Sequence, residues 1–168
     1  MKELTLEPIR KRDLEQVMAI ETACFSSPWS RSNFIFELRS KDSCCMLARL
    51  GNEVVGYGIG WFVLDELHVI NIAVRPDWRR RGIGSKLLRF FLSTGEAKGC
   101  RRATLELRAS NEAARKLYEQ HGFRPVAIRK GYYRHPLEDA VLMVMDFGPR
   151  SKEEQAGLEV QDGVVSKG

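Results

Sequence analysis

No apolar run in this 168-residue chain approaches the ~20 residues that a membrane helix needs, and its opening, MKELTLEPIRKRD, has no apolar signal core. A membrane protein or an exported one is therefore not expected, and a cytoplasmic location is. Cysteine is scarce, with Cys24, Cys44, Cys45 and Cys100 forming no C-x-x-C pair. The three histidines, His68, His121 and His135, are not spaced with them as zinc ligands. Free thiols are the natural reading, with neither a disulfide framework nor a metal centre. A dinucleotide fingerprint is missing, since G-x-G-x-x-G would need glycine where Leu87 stands, and no G-x-x-x-x-G-K-[ST] loop exists. Internal repeats are absent. The excess of 27 basic over 22 acidic side chains, +5, suits an acidic partner but does not demand nucleic acid.

A hydrophobic content of 43% is ample for one soluble domain. Residues 1–148 hold the periodic patterns, and 149–168 lack periodicity and aromatics, so that stretch is expected to be a disordered tail. LTLEPI reads as a strand. Asp13, with Gln16 three residues on, reads as the capping box of a helix whose apolar stripe is spoiled by Glu21. Ser30 caps a second helix carrying Phe34, Glu37 and Leu38. CCMLARL and EVVGYGIGWFVL flank a Gly51-Asn52 turn and predict a hairpin. In the second of these, Val55, Tyr57, Ile59 and Trp61 make one bulky face. Gly56, Gly58 and Gly60 leave the other as bare backbone, which something can approach closely. LHVINIAV is a third strand of this group, stopped by Arg75-Pro76. Ile83, Leu87, Phe90 and Phe91 follow helical spacing up to Gly99. ATLELRA is a strand, and Asn111 caps a helix closed by Gly122. Two strands, near 124–129 and 139–147, finish the domain around a tyrosine-rich loop. The order β-α-α-β-β-β-α-β-α-β-β predicts an α/β class with helices on a partly antiparallel sheet.

RPDWRRRGIGSKLLRF, at the mouth of the third helix, is the most telling stretch. Glycines let main-chain N–H groups reach a ligand unshielded. A helix N-terminus offers unpaired donors and a partial positive charge, and arginines add bidentate phosphate contacts. A basic solvated turn is the plainer alternative, but a pyrophosphate suits this equipment.

NIAVRPDWRRRGIGSKLL resembles the acyl-CoA-binding motif of the GNAT N-acetyltransferases, [RQ]-x-x-G-x-[GA], at Arg79, Gly82 and Gly84. The resemblance covers about 1–148. It implies a mixed central sheet of about seven strands flanked by about four helices, in keeping with the element order above. It also implies acetyl-CoA as co-substrate, with no metal. Ile72, Ala73 and Val74 would meet the pantetheine arm, and Arg80, Arg81, Gly82, Ile83, Gly84 and Ser85 the pyrophosphate. An amide near Val74 would polarise the thioester carbonyl. SPWSRSNF, LELRASNEAARKLYEQHGFRPVAIRKGYY and EDAVLMVMDF are similar to the RimI-type branch, which acetylates the N-terminal alanine of a small-ribosomal-subunit protein. That implies a protein N-terminus, ribosomal, as partner, with no direct contact to nucleic acid or membrane.

The resemblance assigns Glu106 as general base through water and Tyr118 as general acid. Read by spacing alone, Glu106 could be an exposed carboxylate paired with Arg108 or Lys116, and Tyr118 a packed core residue. Asn111 matches a cofactor-contacting residue and is equally a helix cap. Tyr132 and Tyr133 are implied to wall the acceptor slot, or else to cover a surface hairpin. An α-amino group, with a pKa of ~7.7–8.0 against ~10.4 for lysine, needs little help to lose its proton. The rival readings are a GNAT enzyme acting on lysine or small amines, a nucleic-acid module using the arginines, and a cofactor-binding regulator without turnover.

Overall fold

A computed structural model describes residues 2–148; residue 1 and the expected tail at 149–168 lie outside the described residues. Seven strands, β1 (Leu4–Pro8), β2 (Ser43–Leu50), β3 (Glu53–Val63), β4 (Glu66–Val74), β5 (Arg102–Arg108), β6 (Arg124–Arg134) and β7 (Leu137–Asp146), form one sheet in the order β1-β2-β3-β4-β5-β7-β6. Every neighbouring pair is antiparallel except β4 and β5, which are parallel. Helices α1 (Leu14–Cys24) and α2 (Arg31–Arg39) cover one face, and α3 (Ile83–Ala97) and α4 (Glu112–Gln120) the other. This is the expected element order and the expected mixed sheet.

The glycines of β3 serve the protein's own packing. A Cβ on Gly58 would stand 2.7 Å from Phe91, and one on Gly60 2.8 Å from the same ring. The bare face is therefore filled by α3, not by a ligand, and Leu87, Leu88 and Phe91 are fully buried there. Each such side chain contributes about 1.5–3 kcal/mol of apolar burial. Val55 departs from the expected face. Ala48 pairs with Gly56 and Arg49 with Val54, so Val55 sits in a bulge and joins the α3 side. Tyr57 and Ile59 stay on the α1 side.

The start of α1 also differs from expectation. The Asp13 carboxylate turns back to accept from the Arg10 N–H at 2.9 Å and from Arg49 at 2.7 Å, and makes no cap bond to α1. Gln16 accepts from the Val54 N–H at 2.9 Å, which ties α1 to β3. Ser30 does cap α2, accepting from the Asn33 N–H at 3.2 Å.

A second bulge shapes the site. Gly60 pairs with Val69 and Ile59 with Asn71, leaving Ile70 unpaired and bending β4. Pairing of β4 with β5 runs from Glu66↔Arg102 to Val69↔Leu105 and stops there, although β4 continues to Val74 and β5 to Arg108. The two strands part beyond Val69, opening a gap in mid-sheet whose β4 side has no strand partner among the described residues.

Candidate active site

The turn after β4 ends in two residues with positive φ, Arg80 (63°) and Gly82 (79°), which swing the chain into α3. Among the described residues no protein acceptor faces the N–H groups of Arg80 through Ser85; the first amide of this stretch to find one is that of Lys86, bonded to the Gly82 carbonyl. Six consecutive donors thus stand open at the positive end of a 15-residue helix. The two glycines differ in purpose. A methyl group added to Gly82 would meet nothing within 4 Å, so glycine is needed there for its φ, whereas a Cβ on Gly84 would lie 3.3 Å from Leu117 of α4. Gly84 lets α3 and α4 approach. Of the neighbouring arginines, Arg75 is held by Asp77 at 2.6 Å, and Arg79 reaches the Val74 carbonyl and the Cys24 sulfur, each at 3.3 Å. Arg81 lies over the Trp78 ring at 4.4 Å. Arg80 is exposed and has no acidic partner among the described residues.

Glu106 sits on β5 just past the last pairing with β4, on the face opposite the buried Leu105 and Leu107. Its side chain is 14% exposed, and its ion-pair partner is Arg129 of β6 at 3.5 Å, not Arg108 or Lys116. His68, paired with Thr104 in the closed half of β4 and β5, stands near it, with burial holding its pKa below the usual value despite the pull of Glu106 and Glu66. Its imidazole is therefore mostly neutral at pH 7.

Tyr118 enters from α4, 7% exposed, with its ring 5.7 Å from that of Phe123. Burial, and then the neighbouring Tyr133, push its pKa well above that of a free phenol, so it keeps its proton at any physiological pH. Tyr133 is pushed up to about 12 by burial, Tyr132 and Glu106. Tyr133 thus lies within electrostatic reach of both Glu106 and Tyr118. Asn111 caps α4, accepting from the Ala114 N–H at 3.2 Å.

Tyr132 and Tyr133 belong to β6 rather than to a loop. A bulge at Gly131 (φ 61°), tied by its N–H to Asp139 at 2.9 Å, keeps the strand running to Arg134. The two rings are perpendicular, 5.1 Å apart, with Arg129 over Tyr132 and Arg108 over Tyr133.

A bridge spans the gap. At one end, the Cys24 thiol donates to the Val74 carbonyl at the tip of β4. At the other, Ser26 and Ser27 donate to the His135 carbonyl in the β6–β7 turn, at 2.9 and 3.4 Å. Arg108, at the end of β5, holds the same turn through the carbonyls of His135 and Pro136. Segment 25–30 and the hairpin tip therefore join above the opening between β4 and β5. Glu138 steadies this corner, accepting from the Ser110 N–H at 2.6 Å.

The bridge and its anchors were not legible as site features. Glu21, which breaks the apolar stripe of α1, is 2% exposed. It accepts from the Trp29 N–H at 3.0 Å, from Asn71 at 3.1 Å and from the Tyr57 hydroxyl. An acidic residue inside an otherwise apolar helix stripe was the available signal. Among the described residues no group of three His, Cys, Asp or Glu side chains could hold a metal ion.

Residues 14–123 match the Acetyltransferase (GNAT) family. The chain is 35% identical over 136 residues to a putative [ribosomal protein bS18]-alanine N-acetyltransferase of Bacillus subtilis, covering 80% of this chain and 90% of that protein. It is 35% identical over 143 residues to the [ribosomal protein bS18]-alanine N-acetyltransferase of Escherichia coli, covering 84% and 96%. The crystal structure of the ribosomal-protein-S18-alanine N-acetyltransferase from Escherichia coli superposes with a TM-score of 0.82 at 32% identity, over 89% of this chain and 97% of that one.

Proposed function

This chain belongs to the GNAT family and is an acetyl-CoA-dependent N-acetyltransferase, and from that premise we propose that it acetylates the α-amino group of a protein N-terminus, the alanine of a small-subunit ribosomal protein. The observation that carries the acceptor class is the bridge from Ser26 and Ser27 to His135. Roofed in this way, the gap between β4 and β5 favours the end of a chain, which can enter tip first, over a lysine borne on a continuous backbone.

The residues present fit the co-substrate. The open amides of Arg80 through Ser85, with the Arg80 and Arg81 side chains beside them, suit a pyrophosphate. The side of β4 without a strand partner at Ile72, Ala73 and Val74, where Cys24 and Arg79 cover only the Val74 carbonyl, suits an extended, amide-bearing arm. Asn111, at the head of α4, would border that arm. Bound there, acetyl-CoA supplies the thioester carbonyl that the amine attacks. Glu106 takes the amine's proton through a water, and Arg129 steadies the carboxylate. Tyr118, held protonated by burial, gives its proton to the departing sulfur. Tyr132 and Tyr133 flank Glu106 and wall the slot for the first residues of the peptide.

The test is thiol release from acetyl-CoA with Ala-, Ser- and Met-initiated peptides, and with an N-terminally blocked peptide carrying lysine. Turnover of the free N-termini, fastest with alanine, and near silence with the blocked peptide are expected. Equal rates on the blocked peptide would overturn the acceptor class.

A further inference from the structure

Glu21 takes no part in the chemistry above, yet it is the most buried carboxylate among the described residues. Asp13, also buried, is neutralised by Arg49 at 2.7 Å. Among the described residues Glu21 has no such cation. Its partners are the Trp29 N–H in the α1–α2 segment, the Tyr57 hydroxyl on β3 and the Asn71 amide on β4, and Asn71 also donates to Tyr57 at 2.9 Å. Burial pushes its pKa up against the pull of the Trp29 and Asn71 bonds. Taking a carboxylate out of water beside neutral donors alone costs stability, so its arrangement calls for another explanation.

The partners supply one. Asn71 follows the Ile70 bulge, two residues past Val69, where pairing of β4 with β5 ends. Trp29 closes segment 25–30, whose Ser26 and Ser27 reach the β6–β7 turn. One carboxylate thus clamps the roof of the slot to the strand that forms its floor. We propose that Glu21 is a positioning residue for the peptide acceptor, holding segment 25–30 at a set distance above the open half of β4. This rests on the reading of the gap as the acceptor slot. The pyrophosphate amides at Arg80 through Ser85 lie on a different element, and the arm runs along β4 beyond the Asn71 contact, so loosening segment 25–30 falls mainly on the peptide.

Two substitutions in the full chain separate the arms of the clamp. Glu21→Ala removes both. Glu21→Gln keeps an oxygen for the Trp29 N–H but turns an NH2 toward that of Asn71, so the roof arm survives. Glu21→Ala is expected to raise peptide KM about tenfold, the worth of a lost hydrogen bond to a charged group, with acetyl-CoA KM and kcat within about twofold. Glu21→Gln should raise peptide KM by no more than about threefold, and hydrogen exchange at the Trp29 amide should quicken about tenfold in the alanine variant only. Should Glu21→Ala not fold, Glu21→Asp, one methylene short of Trp29, takes its place with the same expectation. An unmoved peptide KM in the folded variant, or peptide and acetyl-CoA KM rising together, overturns the proposal. A wild-type protein inactive on every N-terminal peptide would instead sink the acceptor reading. The Trp29 exchange would then decide the clamp alone, and unchanged exchange would end it.

Discussion

Tyr118 and Glu106, the acid and base proposed here, sit in contrasting environments. A phenol inside α4's buried stripe loses solvation for its anion, and Tyr133 nearby adds to the effect. It thereby keeps its proton over the physiological range, as the acid proposed here must. Glu106, 14% exposed, keeps the Arg129 guanidinium beside it at 3.5 Å, in keeping with the base proposed for it. Glu106→Gln and Tyr118→Phe are each expected to lower kcat about 100-fold with acetyl-CoA KM little changed, as for the loss of one general acid or base. Because Tyr118 does not titrate near neutrality, the loss in Tyr118→Phe should be the same at pH 6 and pH 9 in steady-state rates. A loss that disappears at pH 9 would mean that the phenol is not the acid.

At the scale of elements, the turn into α3 divides its labour between two glycines that look equivalent in the motif. Gly82 supplies a left-handed φ of 79° in open space, while Gly84 clears room for Leu117. A side chain in the left-handed region costs about 1–2 kcal/mol, so Gly82→Ala should weaken acetyl-CoA binding about tenfold in calorimetric titration by turning the donors away. Peptide KM should stay put. The β4 bulge at Ile70 works on the same scale, parting two strands that would otherwise pair along their length. Without that parting, Glu106 would face a continuous sheet.

Across the whole molecule, the excess of 27 basic over 22 acidic side chains favours an anionic co-substrate. The arginines near the α3 turn are exposed, so their pull is screened by salt. Raising ionic strength from about 0.05 to about 0.5 M should raise acetyl-CoA KM about threefold in initial-rate assays, with kcat unchanged. An insensitive KM would assign affinity to the main-chain amides alone. The sheet also joins parts far apart in sequence, since the proposed slot draws on α1, β4, β5 and the β6–β7 hairpin together.

Element order, the α3 turn and the caps at Ser30 and Asn111 were all legible in the chain, because apolar spacing, glycine and capping residues act over a few neighbouring positions. Tertiary structure alone decided what the β3 glycines are for, where β4 leaves β5, that Tyr132 and Tyr133 lie on a strand, and that Glu21 is clamped between loop and sheet. Each of these depends on a partner dozens of residues away: Phe91 for Gly58, Asn71 for Glu21, His135 for Ser26. No local pattern records such a partner, because register and burial are settled only when the two faces of the sheet close over their helices.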